Sequence, residues 1–338
     1  MKESTLPAHL RSVDDYLGPG EKRFFGRGYK RAFQDVRDLH FGVQCDGSGT
    51  VRGRASVRYP DDWSRKGSTN QAPHLSSIDA LLVSGEVAEL FFAHARHLDV
   101  ASRSLMRLVN VQMKAGSKPV TDDLPDFPVE AAVTPPIRQG AGEGTVISAM
   151  TCQVAGLRVR LEVEHPVGNL EPRPVFYPSP DALLGAGERR MFAAAHKWKS
   201  QRIENLRIDS ANLTATALIG VSSCAPPDLS VVGLESRSFR ENSLIDVFVS
   251  AIQLGQILLY ELDSMDRADS NTLWMRRSSI SLELDEAVPG PSAPLSVRLE
   301  DLHLLTDRND TLWRTARIAG KCRNITISCS ATHQLPTK

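Results

Sequence analysis

Two nearly identical strings of nine residues lie almost half a chain apart. Residues 17–25 read LGPGEKRFF and residues 184–192 read LGAGERRMF, an offset of 167 in a chain of 338. Six of the nine positions are identical, and two more keep their charge or apolar character. Self-similarity at a fixed spacing is typical of a duplicated unit, and this length exceeds what one core usually serves. The sequence therefore predicts two similar units.

The same spacing recovers further matches along the chain. They are 78–79 with 245–246, 105–107 with 274–276, and His165 with His333, at offsets of 167, 169 and 168. Between the copies, residues 165–182 contain five prolines, which block helices and remove strand donors. We therefore place the first unit at residues 1–172 and the second at residues 173–338.

Each unit repeats one order of predicted elements. A short basic helix (20–31 and 187–201) is followed by a strand (39–45 and 213–221) and a long apolar helix (77–94 and 244–262). The remaining residues alternate between apolar and polar in short runs, which is typical of antiparallel strands with one buried face. That face must pack against the apolar helix. The sequence predicts an α+β fold in which an antiparallel sheet wraps around one long central helix, twice.

The composition favours a cytoplasmic globular protein without a nucleic-acid or membrane partner. The 40 basic residues balance 40 acidic ones, so overall charge gives no attraction to an anionic surface. The five cysteines form no CxxC pair and are interpreted as buried small side chains of a reduced protein. The helix at 244–262 contains acidic and amide side chains and is expected to be buried in the core. No motif of nucleotide, zinc or serine-hydrolase chemistry is present, so we expect no metal and no cofactor.

The predicted order of elements resembles the hot-dog fold. Two such units in tandem resemble the double hot-dog of fatty-acid dehydratases, thioesterases and acyl-transferring butyrolactone synthases. The strings SVDDYLGPGEKRFFGRGYKRA (12–32) and PHLSSIDALLVSGEVAELFF (73–92) resemble the avirulence protein D family of plant-associated bacteria. That resemblance implies synthesis of a syringolide-type acyl sugar from a 3-oxoacyl chain and a ketopentose. The implied partners are a thioester of an acyl carrier protein or of coenzyme A, and the sugar.

The chain departs from the hot-dog dehydratases where their catalytic residues lie. Those enzymes carry His-Phe-Pro-Gly before the central helix and a glutamate within that helix. Here His74 is followed by Leu-Ser-Ser, and Glu86 comes two positions too early for the dehydratase spacing. The matching positions of the second unit are Glu241 and Gln253. Dehydration is therefore in doubt.

The start of each central helix is the predicted catalytic region. Unpaired N–H groups at a buried helix N-terminus can polarise a thioester carbonyl, and HLSSID (74–79) and ENSLID (241–246) lie there. Ser76, Ser77 and Ser243 are accordingly candidate substrate-binding residues. Asp79 and Asp246 are candidate acid/base groups at a pseudo-twofold interface. Both also fit the capping box Ser-x-x-Asp, which is the competing interpretation.

Several other residues have one chemical and one structural interpretation. His74 is a candidate general base, or a structural histidine. Glu86 is a candidate acid/base group of raised pKa, or lies on an exposed helix face. Gln253 and Glu241 are candidate ligand contacts. Arg107, Arg276 and the basic runs at 22–31 and 189–199 are candidates for binding the phosphate of a thioester carrier, or lie on solvated faces.

Hot-dog pairs build each site from both units. We therefore expect His74 to face Asp246 or Gln253, and Glu241 to face Asp79 or Glu86. The first combination offers histidine plus carboxylate and is predicted to be the working site.

Two functions fit the sequence. One is an enzyme that transfers a 3-oxoacyl group from a thioester to a sugar hydroxyl. The other is a non-catalytic module for an acyl ligand or a protein, with a hot-dog dehydratase or thioesterase as a further alternative. A single hot-dog unit needs a second copy to form a dimer. Here the two units already pair within one chain, so that requirement is satisfied internally, and further oligomerisation stays open.

Overall fold

Two long helices begin at the predicted positions. In a computed structural model, which describes residues 8–63, 65–66, 69–70, 72–116, 118–270, 273–283 and 290–336, they span Ser77–Ala95 (α3) and Leu244–Asp263 (α6). Each starts with a complete capping box, in which Ser76 or Ser243 accepts from the N–H group of the aspartate three residues later. The shorter α-helices are α1 (Asp14–Leu17), α2 (Tyr29–Arg31), α4 (Val100–Arg103) and α5 (Asp181–Leu184).

The strands are numbered along the chain. In the first half they are β1 (Ala8–Ser12), β2 (Phe33–Val43), β3 (Gly49–Arg58), β4 (Arg65–Lys66), β5 (Thr69–Asn70), β6 (Arg107–Lys114), β7 (Phe127–Gln139), β8 (Thr145–Val154) and β9 (Leu157–Pro166). The remainder are β10 (Val175–Tyr177), β11 (Lys199–Asp209), β12 (Thr214–Ser223), β13 (Trp274–Leu282), β14 (Ser292–Thr306), β15 (Leu312–Cys322) and β16 (Ile325–Gln334).

Fourteen of the described strands form one antiparallel sheet, and β4 and β5 form a separate hairpin. The order in the large sheet is β1-β11-β12-β14-β15-β16-β13-β6-β9-β8-β7-β3-β2-β10. The halves join at β13 and β6, where Ile280 lies opposite Val111. These two residues are related by the repeat offset of 169, so a pseudo-twofold axis passes through this pair. The predicted α+β class, with an antiparallel sheet in each half, is confirmed, and the two sheets are continuous with each other.

Both long helices are buried against the sheet. Every residue of α3 is buried, and α6 contacts β12, β14 and β15 of its own half. By length and composition α6 could cross a membrane, but 89% of its most apolar window is buried inside the protein. The prediction that this segment is a core helix is confirmed.

The segments that open the two repeats are exchanged between the halves. β1, near the N-terminus, pairs with β11 of the second half, whereas its repeat equivalent β10 pairs with β2 of the first half. The repeated nine-residue strings follow these strands and continue the exchange. Each half of the sheet is therefore completed by an edge strand from the other repeat.

Buried arginines fix the exchanged segments to the long helices. Arg190, 1% exposed, donates to Glu86 of α3 at 2.9 Å and also binds Asp181. Its equivalent Arg23 donates to Gln253 of α6 at 2.7 Å and also binds Asp14. All three positions are related by the same offset of 167. The repeated strings thus supply the cation for a buried polar side chain in the opposite half.

The predicted basic helices at 20–31 and 187–201 are wrong as continuous elements. Residues 20–31 form a 3₁₀ turn, a wide turn over Phe24–Gly28 and α2, and residues 187–201 form two 3₁₀ turns followed by β11. At Gly26 an added Cβ would lie 2.3 Å from the carbonyl oxygen of Gly20, so the chain folds back more tightly than a helix. The solvated-face interpretation is also wrong for Arg23, Arg190 and Lys199, which are buried.

Two further expectations need correction. Between its basic segment and its long helix, each half has two strands of the large sheet rather than one, because the predicted strands correspond to β2 and β12, whereas β3 and β11 were not predicted. β2 and β11 each carry an irregularity at a residue of positive φ, Asp38 or Asn205, which breaks the alternation of apolar residues. Of the cysteines, Cys45 and Cys224 are exposed, and only the other three are buried.

The two arginines allow a matched stability test. Arg190→Leu leaves the Glu86 carboxylate buried without its cation, so we expect a loss of about 3–5 kcal/mol in the free energy of unfolding. Arg23→Leu leaves only the neutral amide of Gln253 and should cost about 1–3 kcal/mol. Urea unfolding at pH 7, followed by circular dichroism, measures both. Equal losses would contradict the charged character of the Glu86 contact.

Glu89 of α3 makes the stability of the folded state depend on pH. Neither of its oxygens has a hydrogen-bond partner among the described residues, Arg103 lies 3.8 Å away, and burial raises its pKa to about 7. The folded state therefore favours the protonated acid, and its stabilising contribution is lost as pH rises from about 4.5 to about 7. Glu89→Gln, which copies Gln256 of α6, should be neutral at pH 4.5 and stabilising at pH 8, on the order of 1–3 kcal/mol. Thermal unfolding at both pH values tests this, and equal effects would refute it.

Candidate active site

A partly open apolar cavity lies at the N-terminus of α3, where the two halves meet. It has a volume of about 340 Å³, within the range of small-molecule sites. Three parts of the chain form its walls, namely the exchanged segment with Phe24 and Phe25, the first half with Trp63, Leu75, Val120 and Leu157, and the second half with Leu273, Trp274 and Met275. Its polar groups belong to His74, Ser76, Ser77, Lys118 and Thr121. We call it the His74 cavity.

His74 is held at the wall of this cavity with a neutral ring. Its Nδ1 atom lies 3.3 Å from the carbonyl oxygen of Ala72, and the ring meets Trp63 edge-on at 5.3 Å between centroids. Since a carbonyl oxygen only accepts, Nδ1 carries the proton and Nε2 is the basic nitrogen. Burial lowers the pKa of His74 below its ordinary value. The imidazole is therefore neutral at pH 7 and can accept a proton.

Ser77 and Ile78 occupy the first two positions of α3. Among the described residues, neither of their backbone N–H groups has a hydrogen-bond partner. The first N–H groups of a helix point out of its N-terminus and carry partial positive charge. Ser77 lines the cavity, so its N–H group lies at the wall of the space in which a ligand oxygen would lie, and that of Ile78 follows it in the first turn.

Tyr59 and Asp79 form a polar layer behind the cavity. The Tyr59 hydroxyl contacts the carboxyl group of Asp79 and lies 2.9 Å from the carbonyl oxygen of His74. Gln34 donates to the same carboxyl group at 2.6 Å. Burial raises the pKa of Asp79 above its usual value. Asp79 does not line the cavity, and it closes the capping box with Ser76.

A second, smaller cavity lies at the equivalent place beside α6. Its volume is about 140 Å³, and its polar wall includes Arg107, Glu235, Glu241 and Ser243. Glu235 turns inward and accepts from the N–H group of Leu108 at 2.7 Å. Leu244 also lines this cavity, at the position that Ser77 takes in the larger one. Bulkier side chains and carboxylate side chains thus reduce the volume of the second cavity.

Lys199 takes the place of Tyr59 in the second half. Its ammonium group donates to the carbonyl oxygen of Glu241 at 2.8 Å and binds Asp246 at 2.5 Å. Burial alone would raise the pKa of Asp246, but the cations of Lys199 and Lys30 outweigh it and hold this pKa below its ordinary value. The two equivalent aspartates therefore differ, since Asp79 has neutral partners whereas Asp246 belongs to a buried ion pair.

A comparison with protein families establishes the relationship of this chain to known proteins. The family model described as Pseudomonas avirulence D protein (AvrD) matches residues 8–336. The chain belongs to the AvrD family. The resemblance inferred from residues 12–32 and 73–92 is thereby confirmed. Among curated proteins, none matches the chain.

Solved structures similar to this AvrD-family chain share little sequence with it. The tesB protein of Mycobacterium avium subsp. paratuberculosis has a TM-score of 0.39 and 10% identity, over 84% of this chain and 93% of that one. The acyl-CoA thioesterase II TesB2 of Mycobacterium marinum has a TM-score of 0.34 and 9% identity, over 86% of this chain and 94% of that one. A pyran synthase domain from module nine of the sorangicin pathway has a TM-score of 0.38 and 11% identity, over 88% and 97%.

The structure of this AvrD-family chain places the predicted site residues at several separate locations. His74, Ser76 and Ser77 lie at the larger cavity, whereas Glu241, Ser243 and Arg107 lie at the smaller one, where Arg107 binds Glu164 at 2.6 Å. Glu86 and Gln253 lie along the helices and bind the exchanged arginines. Arg276 is exposed and donates to the carbonyl oxygen of Gly116 at 3.3 Å, beside the larger cavity.

The expected pairing of His74 with Asp246 or Gln253 is not found. His74 instead meets Trp63, whose ring contacts Phe24 of the exchanged segment, while the two expected partners bind Lys199 and Arg23. The expected contacts of Glu241 with Asp79 or Glu86 are also absent, because those carboxyl groups are engaged by Tyr59 and Arg190. Within the described ranges, no group of three or more His, Cys, Asp or Glu side chains could hold a metal ion.

Three residues at the cavity or in the polar layers of this AvrD-family chain were not predicted from the sequence. Tyr59 and Trp63 lie in the segment before α3, which has no match in the second repeat, so the offset could not indicate them. At the repeat offset of 167, Lys199 corresponds to Ala32 of the first repeat. This difference in sequence could have indicated that the polar layers of the two halves differ.

The two aspartates allow a direct test of their difference. Asp246→Asn removes the counterion of Lys199 and leaves a buried cation, so we expect a loss of about 3–5 kcal/mol in the free energy of unfolding at pH 7. Asp79→Asn keeps neutral partners and should cost about 1 kcal/mol, the value of a helix cap. Denaturant unfolding of both variants measures this. A larger loss for Asp79→Asn would contradict the difference between the neutral partners of Asp79 and the ion pair of Asp246.

Proposed function

We propose that this chain is a double hot-dog enzyme that joins a 3-oxoacyl group, delivered as a thioester, to a ketopentose such as xylulose. Its product is a syringolide-type acyl sugar, and its place of action is the cytoplasm. The observation that carries the proposal is the His74 cavity, in which an apolar space ends at helix donors that no described residue satisfies, beside a neutral histidine. Membership of the AvrD family supports it.

The cavity matches the two ends of an acyl thioester. Aromatic and aliphatic side chains from both halves surround the space in which the acyl chain lies. The N–H groups of Ser77 and Ile78 at its polar end receive the thioester carbonyl oxygen. Apolar walls with a few convergent polar groups are typical of small-molecule sites.

The acyl transfer step uses His74 as general base. Nε2 takes the proton of a sugar hydroxyl as its oxygen attacks the thioester carbonyl carbon, and the negative charge develops on the carbonyl oxygen at the N–H groups of Ser77 and Ile78. One such donor typically contributes roughly 3–4 kcal/mol to the transition state. The C–S bond then breaks, and the thiolate leaves as the thiol with the proton that His74 took.

Condensation follows on the same ester. The methylene between the two carbonyl groups of the acyl chain is acidic, and its proton passes to the base. The resulting carbon attacks the ketone carbon of the sugar, a C–C bond forms, and the ketone oxygen takes up the proton. No redox change occurs, so the step requires no further co-reactant.

The other predicted acid/base residues support the site from a distance in this proposal. Asp79 holds Tyr59 and Ser76, and through them the backbone of His74 and the start of α3. Glu86 and Asp246 neutralise Arg190 and Lys199. Only His74 among the predicted acid/base residues lines the larger cavity.

The test compares His74→Gln with Glu241→Gln, its equivalent at the smaller cavity. With a 3-oxoacyl thioester and xylulose, the wild type should release free thiol and form an acyl sugar identified by mass. His74→Gln should lower turnover at least about a hundredfold, since general-base catalysis is worth 10²–10⁴. Glu241→Gln should keep turnover close to the wild type.

Three outcomes would overturn the proposal. Release of thiol at the same rate without sugar, with the free acid as product, would indicate a thioesterase. Loss of water from a 3-hydroxyacyl thioester would indicate a dehydratase. Binding of the thioester without any product would indicate a non-catalytic acyl-binding module.

A further inference from the structure

Four cations line a depression on the outer face of the sheet, at the seam between the halves. Lys114, Arg158, Arg160 and Arg277 come from β6, β9 and β13 and surround a space of about 560 Å³. Ser279, Ser328 and Ser330 add hydroxyl groups to the same depression. We call these four residues the cationic patch. None of them takes part in the catalytic steps proposed above.

The register of the strands places like charges side by side. Lys114 lies opposite Arg158 on one neighbouring strand and opposite Arg277 on the other. Like charges directly opposite in a sheet are destabilising. Arg160 binds Glu162 at 3.2 Å, but the other three cations form no ion pair with any residue that the structure describes. An anion bound here would remove this repulsion.

The patch lies near the His74 cavity along three strands. Lys114 immediately precedes Ala115 and Arg158 immediately follows Leu157, and both of these neighbours line the cavity. Arg277 lies two residues after Met275, which also lines it. Since a strand rises about 3.3–3.4 Å per residue, the patch begins within about 7 Å of the cavity wall along each strand.

The pseudo-equivalent end of the seam lacks this charge. The offset of 169 between β6 and β13 makes Glu283 the equivalent of Lys114, and Leu108 the equivalent of Arg277. The offset of 168 between β9 and β16 makes Thr326 and Ser328 the equivalents of Arg158 and Arg160. None of the four patch cations therefore has a cationic equivalent on the strands near the smaller cavity. This is the distribution expected of a ligand that uses both the patch and the larger cavity.

We propose that the cationic patch binds the phosphate groups of coenzyme A, whose acyl chain enters the His74 cavity. The inference rests on the proposed function and identifies the thioester as a coenzyme A ester. Guanidinium and hydroxyl groups around one depression match phosphate oxygens, which accept several charge-assisted hydrogen bonds at once. A carrier protein would instead need an interface of several hundred Å² on each partner, beyond the extent of this depression.

Binding of two matched ligands tests the inference. The first is the thioether analogue of 3-oxo-octanoyl coenzyme A, with a methylene between sulfur and carbonyl, and the second is the same acyl group on pantetheine, without phosphates. The patch variant is Arg158→Gln/Arg277→Gln. The control is Arg207→Gln/Lys321→Gln, which removes two exposed cations from a separate depression lined by residues of β11, β12, β14 and β15.

We expect calorimetry to show a selective loss. The patch variant should bind the coenzyme A analogue about 10- to 100-fold more weakly than the wild type, because each lost cation removes charge-assisted hydrogen bonds. Its affinity for the pantetheine analogue should stay unchanged, and the control should match the wild type with both ligands. An unchanged melting temperature excludes a folding defect.

Two results would overturn the inference. Equal affinity of the patch variant and the wild type for the coenzyme A analogue would remove the patch from the site, while binding of the pantetheine analogue would leave the proposed function intact. Loss of turnover only with substrate on an acyl carrier protein would make that protein the occupant. Failure of the wild type to bind the pantetheine analogue would instead count against the proposed function.

Discussion

The halves of this protein depend on two buried arginines that reach across the molecule. Arg23 and Arg190 bind a polar side chain in the middle of the opposite long helix, Gln253 or Glu86. A buried donor or carboxyl group without its partner is costly, so the exchanged segments and the helices require each other. Phe24 and Phe25 follow Arg23 directly and form one wall of the larger cavity. The candidate site therefore exists only when both halves are assembled.

Duplication gave two equivalent places, and a few side chains made them different. Tyr59 contacts the carbonyl of His74 in one half, and Lys199 contacts that of Glu241 in the other. The hydroxyl leaves Asp79 with neutral partners, whereas the ammonium fixes Asp246 as an anion. Together with the inward side chain of Glu235, these differences produce one larger, apolar cavity and one smaller cavity with charged side chains in its wall. A chain with internal symmetry has in this way acquired two unequal cavities.

The long helices could be predicted because their starts depend on neighbouring residues, whereas the contacts of the site residues depend on residues far away in the sequence. Ser76 and Asp79 form a capping box that depends on four consecutive residues, so the start of α3 could be found in the sequence. The interpretation of Glu86 could not be resolved in the same way, because its partner Arg190 lies 104 residues further on. The pairing of His74 with Asp246 failed for a related reason. Lys199, which binds Asp246, has no cationic counterpart in the first repeat.

The exchange of edge strands sets the order in which a growing chain can finish folding. Residues 8–12 pair with residues 204–208, and Arg23 reaches its partner only after α6 has been made. During synthesis the first half must therefore wait, with α3 lacking Arg190 and its sheet lacking β10, until the second half emerges from the ribosome. Pairings between such distant residues are slow to form and leave strand edges open meanwhile. This protein is thus most vulnerable to aggregation while it is being translated, when only its first half has left the ribosome.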